Sequence, residues 1–210
     1  MRANRLTATL AATVALCFAG SVAGAQVKVT SGGDVVTFNQ KNIIDHMITG
    51  DSIEVAAAQL AVSRTKNAAV RDYANMLITD HKGHLDNLTK LAGKADIGRE
   101  ANSADTSGAV ALKSLAALNA LPSDSTFDRA FIESQIDHHT SELAGLKALR
   151  PSAKDDDVQK DIDGTLPVLE KHLSRAKEVA AQLSAPPAAA PATKPPMTPP
   201  AGTKPPTPPR

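Results

Sequence analysis

The chain has 210 residues and a formal net charge of +1 at pH 7, with 42% hydrophobic and only 2% aromatic residues. This length predicts one domain with appended segments. The small net charge and the absence of Trp argue against a nucleic-acid-binding protein, which uses a basic face or aromatic stacking. The mature chain contains no run of about 18 apolar residues, so no transmembrane helix is predicted.

The first 25 residues have the pattern of a secretory signal peptide. Two arginines precede an apolar run over residues 6–18, and the small-residue triplet at 23–25 resembles a cleavage site. We therefore expect a periplasmic protein whose mature chain begins at Gln26. The alternative, a short membrane anchor, is disfavoured because the run is too short to span a bilayer. Cys17, the only cysteine, falls inside this segment, so the mature chain is expected to contain no thiol.

The C-terminal segment, residues 184–210, is rich in proline. It holds 11 of the 14 prolines and repeats a Thr-Lys-Pro-Pro pattern at Thr193 and Thr203. Proline lacks the amide donor and fixes φ, so neither helix nor sheet is expected. The composition predicts a disordered, extended polyproline II spacer. The candidate partners of such a tail are a proline-binding protein or an envelope polymer.

Between these segments the apolar residues repeat with a helical period. A short extended lead-in with a turn is predicted over residues 26–37, followed by helices over 38–64, 67–92, 123–150 and 153–183, with a short helix over 110–119. Thr37 and Gln40 are placed as a capping box for the first helix. Gly164 and Pro167 are expected to interrupt the last helix, because proline cannot donate the helical hydrogen bond.

The fold class predicted from this pattern is all-α. The link between helices 1 and 2 is short, which predicts an antiparallel pair, and Pro151 marks a second short link between the last two long helices. The connection between the two pairs is about thirty residues long and can run the length of the domain. We therefore predict a ferritin-like four-helix bundle over residues 38–183, with up-down-down-up order and a long crossover that carries the short helix.

Histidines occupy positions in the apolar seams where aliphatic residues are expected. His81, His139 and His172 lie in three different seams, and a rise of 1.5 Å per residue places Asp51 and Glu54 at the level of His81, with Glu133 nearby. Imidazoles and carboxylates that meet in a bundle core are typical of a transition-metal site. The candidate ligands, including neighbours at helical spacing, are Glu54, His81, His84, Glu133, His138, His139 and His172. The alternative is that these histidines are hydrogen-bonded within the bundle and bind no ion.

Enzymatic activity has little support in the sequence. The Glu-x-x-His pair that di-iron bundles carry on two helices does not occur, and no nucleophile motif or phosphate-binding glycine loop is present. No catalytic residue is predicted, and the cofactor, if there is one, is a transition-metal ion. The primary interpretation is an exported, non-enzymatic helical bundle. The alternative is a ferritin-like metal-binding or redox protein, and the sequence determines neither the metal nor the oligomeric state.

Several motifs resemble an exported bacterial family called domain of unknown function 4142. They are Phe38 and Glu54, the segment 70–81 ending in Met-Leu-Ile-Thr-Asp-His, residues 127–131 leading to Asp137-His138, and Leu166-Pro167 leading to His172-Leu173. The resemblance covers about residues 36–183. It implies a ferritin-like four-helix bundle and no particular activity. Members are often labelled outer-membrane proteins, a location that no feature of this sequence supports.

Overall fold

The computed structural model of the chain describes residues 28–31 and 34–185. The predicted signal peptide and all but the first residues of the predicted tail lie outside the described residues. At the N-terminal side, strands β1 (Lys28–Ser31) and β2 (Asp34–Thr37) form an antiparallel pair in which Lys28 is opposite Thr37. The hairpin leads directly into the first helix.

Five helices follow the hairpin. They are α1 (Gln40–Arg64), α2 (Ala68–Ala92), α3 (Ser107–Asn119), α4 (Ser125–Leu149) and α5 (Asp156–Ser184), with a turn of 3-10 helix at Arg150–Ser152. Helices α1, α2, α4 and α5 are the four long helices of a bundle, and α3 lies in the crossover between α2 and α4. The predicted all-α fold, a four-helix bundle with a short extra helix in a long crossover, is confirmed.

The crossover fixes the order of the helices. It begins beside the start of α1, where the amide of Glu100 donates to the carbonyl of Lys41, and it ends beside the last turn of α1, where Arg64 donates to the carbonyl of Leu121. Helix α4 therefore begins at the end of the bundle where α1 stops, and runs parallel to α2. Because α5 returns antiparallel to α4, the order is up-down-down-up.

The capping box of α1 differs from the prediction. Asn39 is the N-cap, its side chain accepting from the amide of Asn42, and the Asn42 side chain accepts in turn from the amide of Asn39. The helix thus begins later than predicted, because two asparagines three residues apart satisfy the free amides as well as a Ser/Thr-Glu box does. The side-chain oxygen of Gln40 instead accepts from the amides of Lys154 and Asp155, and ties α1 to the start of α5.

The prediction that Gly164 and Pro167 interrupt the last helix is wrong. Helix α5 runs from Asp156 to Ser184 through both residues. Pro167 removes one hydrogen bond of the helix, but the buried apolar face on either side, which includes Ile162 and Leu169, keeps the helix on the bundle. None of the helices in the described ranges is long and apolar enough to cross a membrane.

The apolar core consists of two separate clusters. One lies at the end where α1 begins and contains Phe38, Met47 and Leu146, and the other lies at the opposite end and contains Tyr73 and Phe127. Between them the bundle interior is polar, and the buried side chains of this layer are Asp51, Glu54, His81, Gln135, His139 and His172. A polar layer between two apolar clusters costs stability unless its groups are paired, so their hydrogen bonds decide what the layer does.

Candidate metal centre

Three helices each contribute one histidine to the polar layer. His81 comes from α2, His139 from α4 and His172 from α5, and their side chains are 3%, 0% and 0% exposed. The ring centroid of His172 lies 5.1 Å from those of both other histidines. The seam positions predicted for these residues thus bring the three imidazoles together.

The outer nitrogen of each imidazole is bonded to an oxygen acceptor. His81 Nδ1 lies 2.7 Å from Asp51 Oδ1, His139 Nδ1 lies 2.9 Å from the backbone carbonyl oxygen of Gln135, and His172 Nε2 lies 2.9 Å from Asp80 Oδ2. A carbonyl oxygen only accepts, and so does an ionised carboxylate, so each of these ring nitrogens carries the proton and donates. This fixes both the tautomer and the orientation of all three rings.

The inner nitrogens converge. His81 Nε2, His139 Nε2 and His172 Nδ1 all lie within 4.8 Å of one another, and the two from His139 and His172 are 3.2 Å apart. Among the described residues, this is the one group of three His, Cys, Asp or Glu side chains close enough to hold a metal ion. His81 Nε2 is buried and has no hydrogen-bond partner in the described part of the chain.

Burial keeps two of the three rings neutral. It lowers the pKa of His172 to about 4, although Asp80 opposes the shift, and it lowers the pKa of His139 as well. Burial also acts to lower the pKa of His81, but the hydrogen bond and charge of Asp51 outweigh it and raise that pKa. With their protons on the outer nitrogens, neutral His139 and His172 point two lone pairs at each other across 3.2 Å. A shared cation would turn that repulsion into coordination.

His84 occupies a different position from the three inner histidines. Its Nδ1 lies 2.8 Å from Asp51 Oδ2, and its Nε2 lies 2.9 Å from Asp161 Oδ2 and 3.0 Å from Thr165 Oγ1. Burial acts against the charged form, but the two carboxylates raise the pKa of His84 to about 10. His84 is therefore an imidazolium that joins α1, through the carboxylate that also holds His81, to α5.

A second polar cluster lies between α1 and α4. His138 Nε2 is 3.2 Å from Glu142 Oε2 and 3.5 Å from Glu54 Oε1, and Gln135 Nε2 donates to the same Glu54 oxygen over 3.3 Å. Burial would lower the pKa of His138, but Glu54 and Glu142 outweigh it and raise that pKa to about 9. His138 thus balances two acidic side chains beside the three inner histidines.

The sequence-predicted candidates therefore divide into three groups. His81, His139 and His172 share one site, whereas His84, His138 and Glu54 belong to the ion pairs around it. Glu133 is exposed on α4 and has no described contact with the site.

Sequence analysis placed Asp51 at the level of His81 but missed Asp161, Gln135 and Glu142 as supporting residues, and it did not pair Asp80 with His172. Two of them stand four residues from a site histidine on α4, Gln135 before His139 and Glu142 after His138, and this spacing is the signal that could have found them.

The chain was also compared with known proteins. Residues 27–179 match the family described as Domain of unknown function (DUF4142). No curated protein matches at a significant level. Two solved structures have a similar fold: CopM in the Cu(I)-bound form, with a TM-score of 0.56 and 15% identity, and CopM in the Cu(II)-bound form, with 0.53 and 16%. The matches cover 71% and 70% of this chain and 100% and 99% of those chains.

Proposed function

The chain belongs to the DUF4142 family, and we propose that it binds one transition-metal ion through His81, His139 and His172. The observation that carries the proposal is that the two nitrogens of each ring have different surroundings. The outer nitrogens donate to oxygen acceptors, and the inner ones face a common point. Metal-binding histidines characteristically donate their second N–H to a carboxylate or carbonyl in this way.

The donor set favours copper or zinc. Three imidazole nitrogens suit Cu and Zn, whereas Mg²⁺ and Ca²⁺ require oxygen ligands. Nitrogens about 2.1 Å from a shared ion are roughly 3.5 Å apart. This is close to the 3.2 Å between His139 Nε2 and His172 Nδ1, and all three inner nitrogens already lie within 4.8 Å of one another. Copper is the first choice, because Cu²⁺ binds a nitrogen site more tightly than Zn²⁺ does and because the structurally similar CopM has been solved in two copper-bound forms.

The acidic side chains around the site also favour a cation. Asp51 and Asp80 accept hydrogen bonds from two of the three ligands. Glu54 and Glu142 pair with His138, which neighbours the third ligand on α4. An ion placed among the imidazoles inside this shell would gain favourable Coulomb energy in a medium less polar than water. The signal-like N-terminal segment leads us to place the protein in the periplasm as part of the same proposal, with metal binding rather than catalysis as its role.

The proposal is tested by adding Cu²⁺ or Zn²⁺ to metal-free protein lacking residues 1–25. We expect one ion per chain by calorimetry and a higher unfolding temperature, because a ligand that binds only the folded state stabilises it. His81→Leu combined with His139→Leu should abolish both effects while the bundle stays folded, since Asp51 keeps His84 as its partner. His46→Ala is the control, because His46 binds Asp105 at the edge of the bundle.

Two results would contradict the proposal in different ways. If the wild-type chain shows no metal effect, the site itself is refuted and the polar layer is purely structural. If one ion still binds tightly after the double substitution, the ligands are other residues.

A further inference from the structure

A cavity of about 350 Å³ lies between α2 and α5 and reaches two of the three inner histidines. His81 and His172 form part of its wall, whereas His139 lies behind them on α4 and is not in the wall. The rest of the wall includes His84, Asp161 and Gly164. The cavity thus ends at two of the three buried ligands, on one side of the bundle.

Three imidazoles leave an ion with an open coordination position. A structural zinc site is closed by four protein ligands, whereas a site with three keeps one position for an exogenous ligand. The carboxylates of the cavity wall are already engaged: Asp80 by His172 and Lys171, and Asp161 by His84. The remaining ligand has to come from outside the chain.

The charge balance of the wall indicates the class of that ligand. Asp161 is paired with the His84 imidazolium, and Asp80 is paired with Lys171 and with the His172 ring. With the carboxylates of the wall paired in this way, a metal ion held by His81, His139 and His172 would attract an anion that enters the cavity. A volume of about 350 Å³ holds an ion of a few atoms together with several waters, each of which occupies about 30 Å³.

We infer that the cavity between α2 and α5 admits a small monoanion that coordinates the metal ion held by His81, His139 and His172. This inference rests on the proposed function and adds to it an exchangeable ligand on a defined side of the bundle. It makes the centre an open site that small molecules reach, and not a storage position enclosed by protein.

The test uses azide as the probe on Cu²⁺-loaded protein, after the copper stoichiometry has been measured by calorimetry. We expect a new azide-to-copper absorption band that saturates with azide concentration and a matching change in the electron paramagnetic resonance spectrum. Gly164→Phe should weaken azide binding by about tenfold or more, because its ring would occupy the cavity. A Cβ at Gly164 meets no atom within 4 Å, so α5 can accept the new side chain, and copper binding should be unchanged.

Gly83→Phe is the matched control. Gly83 is also an exposed helical glycine with no atom within 4 Å of an added Cβ, it lies on the helix that carries His81, and it is not part of the cavity wall. It should bind azide like the wild type. Val168→Trp obstructs the same cavity from a second position and should reproduce the Gly164→Phe result.

The outcomes separate the two proposals. Failure of the wild-type chain to bind copper refutes the proposed function and this inference with it. Normal copper binding with no spectral response to azide refutes the inference alone, as does azide binding of wild-type strength in both obstructing variants.

Discussion

Asp51→Ala should lower the free energy of unfolding of the metal-free protein by about 3–5 kcal/mol and weaken metal binding by about 10- to 100-fold. Asp51 is 2% exposed; its Oδ1 accepts from His81 Nδ1 at 2.7 Å, and its Oδ2 forms an ion pair with His84, whose Nδ1 lies 2.8 Å away. Removing the carboxylate leaves the buried His81 N–H without its acceptor and the His84 imidazolium with only one of its two acidic partners. It also frees the His81 ring to rotate or to change tautomer.

Denaturant unfolding in the presence of a chelator measures the stability effect, and calorimetry measures the metal affinity. Asp45→Ala is the control on the same helix. Asp45 pairs with Arg99, which is largely exposed, so its loss should cost less than about 1 kcal/mol and leave metal binding intact. Metal affinity of wild-type strength in Asp51→Ala would show that Asp51 does not orient His81.

The carboxamide variant Asp51→Asn adds a graded comparison. An amide keeps one acceptor oxygen but replaces the other with a donor and carries no charge, so it can accept from His81 but cannot form the ion pair with His84. If its oxygen faces His81, metal binding is retained and the cost falls on His84. We therefore expect Asp51→Asn to be less destabilising than Asp51→Ala and closer to the wild type in metal affinity.

The bundle was predictable because its helices are specified by local patterns. Apolar periodicity, the glycine after α2 and the prolines at 122 and 151 located the four long helices to within a few residues, and the link lengths gave their order. The errors arose where local rules compete. The capping box predicted at Thr37 and Gln40 is formed instead by the asparagines at 39 and 42. Pro167 does not interrupt α5, because buried residues on both sides hold the helix in place.

The site was predictable only in part, because seam positions show which side chains point inward but not which groups they meet. His81, His139 and His172 followed from their places in the seams. Their partners are tertiary, such as Asp80, which binds His172 from 92 residues away. Glu133 was predicted near the site because the rise per residue gives a side chain's depth along the helix axis but not the face of the helix on which it lies. It lies one residue after buried Ile132 and faces solvent.

The free energy of unfolding should depend on pH through His84, over a pH range set by the groups around its ring. Asp51 faces it from α1, Asp161 and Thr165 face it from α5, and Asp80, His81 and Lys160 share the cavity beside it. The carboxylates raise the pKa of His84 from 6.5 to about 10 in the folded protein, and the unfolded chain is expected to keep the ordinary value. Below about pH 6.5 both states hold the proton and the stabilisation is complete.

Above that pH only the folded state keeps the proton, so unfolding releases it and the free energy of unfolding falls as pH rises, by at most about 1.4 kcal/mol per pH unit until about pH 10. His84→Gln keeps a polar side chain but cannot titrate. The stability advantage of the wild type over His84→Gln should therefore be large at pH 6 and shrink steadily between pH 6.5 and 10. The measurement is urea unfolding of both chains, metal-free, across this range. Since the other titrating groups are common to both chains, a constant difference would show that His84 is not a charged bridge between Asp51 and Asp161.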